Sequence, residues 1–271
     1  MILAYHNVIP DDEPITGEAS LHLALSDFEE QLDVLERYAR IVPLSAVLED
    51  PPDHSADAIT LVVTFDDAYT AAVQLAMPRL AENGFAATIF VASNLLGEDE
   101  FWWDAVALTP NERDEICLGR LRGEWTRVMT WAEENRRLRG MPQGDHQRPA
   151  TAQDLEVAAR LGNVSFGPHT ATHPNLEALS PSEPRQEVRA SWEWLLESGL
   201  PTVKCLAYPY GILTPGIAGA CAEVGIEDAV LVDGGFLQPA RTERLRLPRV
   251  SIPANGTYEN FLLRLSGVVG N

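Results

Sequence analysis

Ile59-Thr60-Leu61-Val62-Val63-Thr64-Phe65-Asp66-Asp67 is an apolar run that stops on two adjacent carboxylates. Its apolar residues are continuous rather than alternating. That pattern predicts a strand covered on both faces, as in a parallel sheet flanked by helices. Similar runs occur at 2–5, 86–91, 164–166, 203–207, 229–232 and 250–252. Helical patterns fill the gaps. Ser26-Asp27-Phe28-Glu29 has the form of a capping box, opening a helix with Leu32, Leu35 and Tyr38 at core spacing. Ser180-Pro181-Ser182-Glu183 repeats it, with Pro181 at the first helical position, before a helix carrying Val188, Trp192, Leu195 and Leu196. Some seven strands alternating with helices predict an α/β fold in one domain over 1–271, with a barrel as the favoured closure. Residues 96–153 break the rhythm as an insertion. Their Phe101-Trp102-Trp103-Asp104 reads as a helix face docked on the barrel or as a platform for a ligand ring.

Composition narrows the classes of partner. Of 271 residues, 45% are hydrophobic, enough for a sizeable core. The formal net charge is −20, and Lys204 is the single lysine. So acidic a chain repels phosphate backbones and anionic headgroups, which excludes nucleic acid and charge-driven membrane contact; otherwise the charge serves solubility. Cys117, Cys205 and Cys221 form no paired motif and read as reduced packing residues. No run of about 18 apolar residues predicts a membrane span. The opening MILAYHNV lacks the features of an export signal, so a cytoplasmic protein is expected if Met1 is the natural start. Oligomeric state is left open.

Three stretches carry chemistry. Asp66-Asp67 closes the strand at 59–65, and buried carboxylates are costly unless paired, hydrated or metal-bound. Alone, the pair is also what a turn looks like. His169-Thr170-Ala171-Thr172-His173 follows the run at 164–166; two histidines at i and i+4 share a face if the segment is helical, and can grip one ion. With Asp67 they make a His₂–carboxylate set that leaves a coordination position for water. Ala207-Tyr208-Pro209-Tyr210-Gly211 closes a third strand, as a turn or as a backbone N–H presented to a developing oxyanion.

In order and spacing these stretches resemble the polysaccharide deacetylase family, carbohydrate esterase family four, whose signature runs T-F-D-D, H-[ST]-x-x-H, R-x-P-[YF]-G. The similarity spans residue 2 to about residue 252. The resemblance implies a distorted seven-stranded (β/α) barrel and removal of N-acetyl groups from a glycan or glycoconjugate. It also implies Asp66 as general base, Asp67, His169 and His173 as ligands of a divalent metal (zinc favoured), and the Tyr210 N–H in the oxyanion hole. Two positions depart from the family pattern. Ala207 stands where an arginine usually orients the base, and Leu247-Pro248-Arg249 stands where a histidine acid is usual. The A-Y-P-Y-G form, the Tyr5-His6 opening and Arg249 are similar to the branch acting on poly-N-acetylglucosamine. Arg249 stays protonated and cannot be the acid; its expected role is to pair with Asp66. The leaving-group proton is then assigned to Asp66 itself, with His6 lining the site as the other source. The rival readings are a same-fold hydrolase of a non-sugar amide and a non-catalytic sugar binder; a base beside the metal argues against the binder.

Overall fold

The computed structural model of the chain describes residues 1–50, 59–109, 112, 116, 121–139, 144–237 and 243–267. The seven apolar runs form strands, joined by three short ones that sequence periodicity does not show. In chain order the strands are β1 (Ile2–Tyr5), β2 (Asn7–Ile9), β3 (His22–Ala24), β4 (Ala39–Ile41), β5 (Ile59–Phe65), β6 (Ala87–Val91), β7 (Val164–Pro168), β8 (Cys205–Ala207), β9 (Asp228–Gly234) and β10 (Leu247–Ser251). The main sheet runs β7-β6-β5-β1-β10-β9-β8, with β4 also paired to β5 and β2–β3 forming a separate ribbon. Among the described residues, all the pairings between these strands are parallel. The ends β7 and β8 nearly meet: Phe166 N–H donates to the Pro201 carbonyl (2.8 Å) and Val203 N–H to the Phe166 carbonyl (2.9 Å). That bridge takes up Val203, so β8 begins two residues later than its apolar run. The result is a nearly closed, distorted (β/α)7 barrel in a single domain, with the C-terminal ends of the main sheet's parallel strands on one rim.

Helices differ from expectation in detail. The first, Leu25–Tyr38, starts directly from β3, with Ala24 before it and no side-chain cap. Ser26 therefore lies inside the helix, and its N–H is met from a distance by Asp11 Oδ1 (3.0 Å). Leu32 and Leu35 are buried as expected, but Tyr38, at the helix end, is 61% exposed. The helix Glu183–Ser198 begins two residues beyond the expected Pro181, with Pro184 in its first turn. Ser180 does engage Glu183, but its hydroxyl turns to the carboxylate and caps no helical N–H. Val188 and Leu195 face inward, while Leu196, one step off that stripe, is exposed.

Val188, Leu206, Ile217, Cys221 and Ala229 form a cluster that seats the helices Glu183–Ser198 and Pro215–Val224 on β8 and β9. Cys205 and Cys221 are buried free thiols, pushed up in pKa by that burial and so unreactive. Cys117 lies outside the described residues. Among the described residues, no helix is long and apolar enough to cross a membrane.

Candidate active site

The barrel's parallel strands deliver side chains to one rim. Asp66 and Asp67 follow β5, His169 follows β7, Tyr210 follows β8, and His6 follows β1. Turning the chain so sharply after a strand takes unusual backbone. Asp67 (φ 70°), Ala68 (60°), Thr170 (65°), His173 (54°) and Tyr210 (59°) are all left-handed without being glycine. Such residues cost of order 1–3 kcal/mol each and cluster where geometry is needed for function. The histidine stretch is therefore not the helix its i, i+4 spacing allowed. It is an irregular loop that folds both rings inward, their centroids 4.7 Å apart.

Asp67, His169 and His173 each bring one ligand atom to a common point, all within 4.8 Å of one another. Asp67 Oδ1 lies 3.4 Å from both Nε2 atoms. His169 Nδ1 donates to the Ala207 carbonyl (2.8 Å), so in the neutral ring Nε2 is left as an acceptor facing a carboxylate. Asp67 Oδ1 is buried and finds no hydrogen-bond donor among the described residues. Burial would raise the Asp67 carboxyl and lower the His169 imidazole, yet their mutual attraction reverses both shifts. On His173 burial outweighs the same attraction from Asp67 and pushes its pKa down to about 3. One proton between Asp67 and His169 would leave His173 an unserved acceptor. A divalent cation would satisfy all three atoms at once, and the donor set fits one.

Asp66 is solved differently. Arg249, fully buried on β10, grips both its oxygens: Nη1 to Oδ1 at 2.7 Å and Nη2 to Oδ2 at 2.6 Å. The guanidinium also donates to Thr64 Oγ1 (3.0 Å) and the Leu231 carbonyl (2.5 Å), and the group lies over the Phe90 ring. Burial alone would raise the Asp66 pKa, but the Arg249 charge and its hydrogen bonds hold the carboxyl well below the usual carboxylate range.

Asp66, Asp67, His169 and His173 open into a cavity of about 440 Å³, also lined by His6, Trp102, Trp103 and Tyr210. The packing reading of the aromatic run holds, and one of its rings also reaches the site. Phe101 and Trp102 are packed against the barrel, and Trp103 lies 4.7 Å, ring to ring, from His173. The Tyr210 ring lies 4.9 Å from the same imidazole. The insertion thus contributes a wall of the cavity through Trp102 and Trp103.

Sequence reasoning missed two supports. Glu187, on the helix Glu183–Ser198, accepts hydrogen bonds from Ala171 N (3.0 Å), Thr172 N (2.8 Å) and Thr172 Oγ1 (2.9 Å), clamping the loop between the two histidines. Asp104 is wholly buried and takes Tyr69 Oη (2.6 Å), His22 Nε2 (3.1 Å) and Glu18 N–H (2.7 Å), while Trp103 Nε1 donates to Tyr69 Oη (2.7 Å). An acidic residue inside an aromatic run is the one signal that could have marked Asp104. Nothing local marks Glu187, because its partners lie across a helix–loop contact.

No curated protein matches the chain at the sequence level. Solved structures do match in fold. The chain is similar to the Streptococcus pyogenes deacetylase PplD in complex with acetate, at 21% identity and TM-score 0.68, over 97% of this chain and 96% of that one. It is similar to IcaB from Ammonifex degensii at 17% identity and TM-score 0.67, over 98% and 94%. It is also similar to a de-N-acetylase from Aggregatibacter actinomycetemcomitans at 12% identity and TM-score 0.66, over 97% and 98%. At these identities the likeness establishes the fold. The family rests on the polysaccharide deacetylase model, which matches residues 53–229 and so spans β5 through the start of β9, with Asp66, Asp67, both histidines and Tyr210 inside the match. The chain belongs to the polysaccharide deacetylase family.

Proposed function

We propose that this protein hydrolyses the N-acetyl amide of an N-acetylhexosamine-containing glycan or glycoconjugate precursor, releasing acetate and a free amine. The observation that carries the reading is the division of labour between two adjacent carboxylates: Asp67 points at two imidazoles, Asp66 at a guanidinium. Asp67, His169 and His173 would hold one divalent ion, zinc by the chemistry of the donors. Bound there, the ion would supply Lewis-acid polarisation of the acetyl carbonyl and a lowered pKa for water.

The chain's own residues do the rest. Asp66 takes the proton of the attacking water as general base. Arg249 keeps that carboxylate ionised and fixed in direction, the work that Ala207 cannot do. A protonated Asp66 beside Arg249 is a strong acid, so it passes the proton readily to the leaving amine. His6 lines the same cavity and is the alternative donor. The Tyr210 backbone N–H, held by a left-handed turn, is assigned to the developing oxyanion.

The test is acetate release by zinc-loaded protein from N-acetylated amino-sugar oligomers, compared with linear N-acetyl amides. Release from the sugars alone supports the reading. Release only from linear amides points to a non-sugar hydrolase, and glycan binding without release points to a binder.

A further inference from the structure

The strap between β2 and β3 contributes to the cavity wall through Glu18, Ser20 and Leu21. It is fastened at several points. Glu18 N–H donates to the buried Asp104 carboxylate (2.7 Å), and His22, at the strap's far end, meets the same carboxylate at 3.1 Å. Ala254 N–H holds the Ser20 carbonyl (2.9 Å), and Leu21 N–H closes a turn onto the Glu18 carbonyl (2.9 Å). Gly17 is required by this contact: a Cβ there would stand 2.1 Å from Asp104 Oδ1. A wholly buried carboxylate is costly to keep, and here one is committed to fixing the strap. What the strap presents is a second carboxylate, Glu18, oriented by Ser20 Oγ at 2.6 Å.

We propose that Glu18, with Ser20, is the sugar-reading edge of the cavity: it accepts the hydroxyl hydrogens of an uncharged N-acetylated glycan. This deepens the function proposed above and rests on it. An ionised carboxylate only accepts hydrogen bonds and offers about four acceptor sites, which suits sugar hydroxyls. Trp103, in the same cavity, offers apolar surface to a sugar's C–H face. A phosphate anion brought to this edge of the cavity would be repelled by the Glu18 carboxylate.

The test measures binding of an N-acetylglucosamine trimer to the full chain by calorimetry, beside KM and kcat for acetate release from the trimer by zinc-loaded protein. Glu18→Ala should weaken binding and raise KM by about 10- to 100-fold, the range of a hydrogen bond to a charged group. Its kcat should change less than about threefold, as expected for binding shared by ground and transition states. Melting should stay within a few degrees of the native chain. Glu18→Gln, which keeps one acceptor oxygen, should fall between. Uridine diphosphate N-acetylglucosamine should bind the metal-free chain more weakly than the trimer does. Unchanged trimer binding in both variants, a fall in kcat at constant KM, or tighter binding of the nucleotide sugar would each overturn the assignment. A native chain that binds the trimer without releasing acetate overturns the deacetylase reading, and its variants still judge Glu18 by the binding arm. A native chain that does neither overturns both.

Discussion

Asp66 and Asp67 are consecutive, both buried, and both leave β5 on the same rim, yet their surroundings are opposites. Asp66 has one guanidinium, that of Arg249, bound across both oxygens and is electrostatically complete. Asp67 faces two ring nitrogens at 3.4 Å and keeps an oxygen without a donor. The difference comes from the backbone. Asp67 is left-handed at φ 70°, so the chain turns between the two residues and sends one side chain towards β10 and the other towards the histidine loop. A buried, completed carboxylate is fitted to moving a proton in a fixed direction. An incomplete one facing two imidazole nitrogens is fitted to receiving a cation.

Substitutions can break this contrast. The largest effect is expected from Asp66→Asn, which should remove turnover by more than about 10²-fold, the lower end of general-base contributions, with zinc affinity nearly unchanged. Calorimetric zinc binding beside acetate release checks it, and loss of zinc would reverse the two roles. Next, Arg249→Leu leaves Asp66 buried and unpaired. It should cost about 3–5 kcal/mol in denaturant unfolding of the metal-free chain. The sign with pH follows from the depressed Asp66 pKa. The stabilisation is present above the unfolded carboxyl value near 3.9 and is lost as pH falls through the folded value, so the deficit should shrink in strong acid. A deficit that grows in acid would contradict the pairing.

Smaller effects sharpen the metal side. Glu187→Ala frees the loop that carries both histidines and should weaken zinc binding about 10- to 100-fold, with Glu187→Gln closer to native; equal zinc affinity in the native and alanine proteins would make the clamp merely structural. Zinc binding should also weaken in acid, because protons compete for the same atoms. The His169 pKa is raised by Asp67 and Asp66, so the loss should set in as pH falls through a value above the ordinary 6.5, at about tenfold per pH unit for each proton displaced. A zinc affinity flat from pH 8 to pH 5 would contradict it. The smallest effect is expected from His6→Ala, a fall in rate under about tenfold with the basic limb of the pH–rate profile intact. A loss above about 10²-fold together with that limb would make His6 the acid.

Much of the barrel was legible because strand burial leaves a local mark: β1 and β5 coincide with their apolar runs to the residue. The short strands β2, β3 and β4 left none, since three residues carry too little periodicity. The site was legible where residues lie within a motif, as with Asp66, Asp67 and the histidine pair. The pairing of Arg249 with Asp66, across more than 180 positions of sequence, was expected from the family resemblance, in which Ala207 leaves the base without its usual arginine. Glu187 and Asp104 were not legible, because each matters through hydrogen bonds to backbone or side chains that only the folded chain brings near. The same holds for helix starts: Ser26 looks like a cap, but β3 runs straight into the helix and Asp11 takes the work from fifteen residues away.

The division between the two carboxylates is tested most directly by a crystal structure of the zinc-loaded protein with anomalous scattering at the zinc edge. The account predicts one ion bonded to Asp67, His169 and His173 at about 2.0–2.2 Å, with Asp66 still clasped by Arg249. An ion bound to Asp66, or the two imidazoles turned away from Asp67, would contradict it.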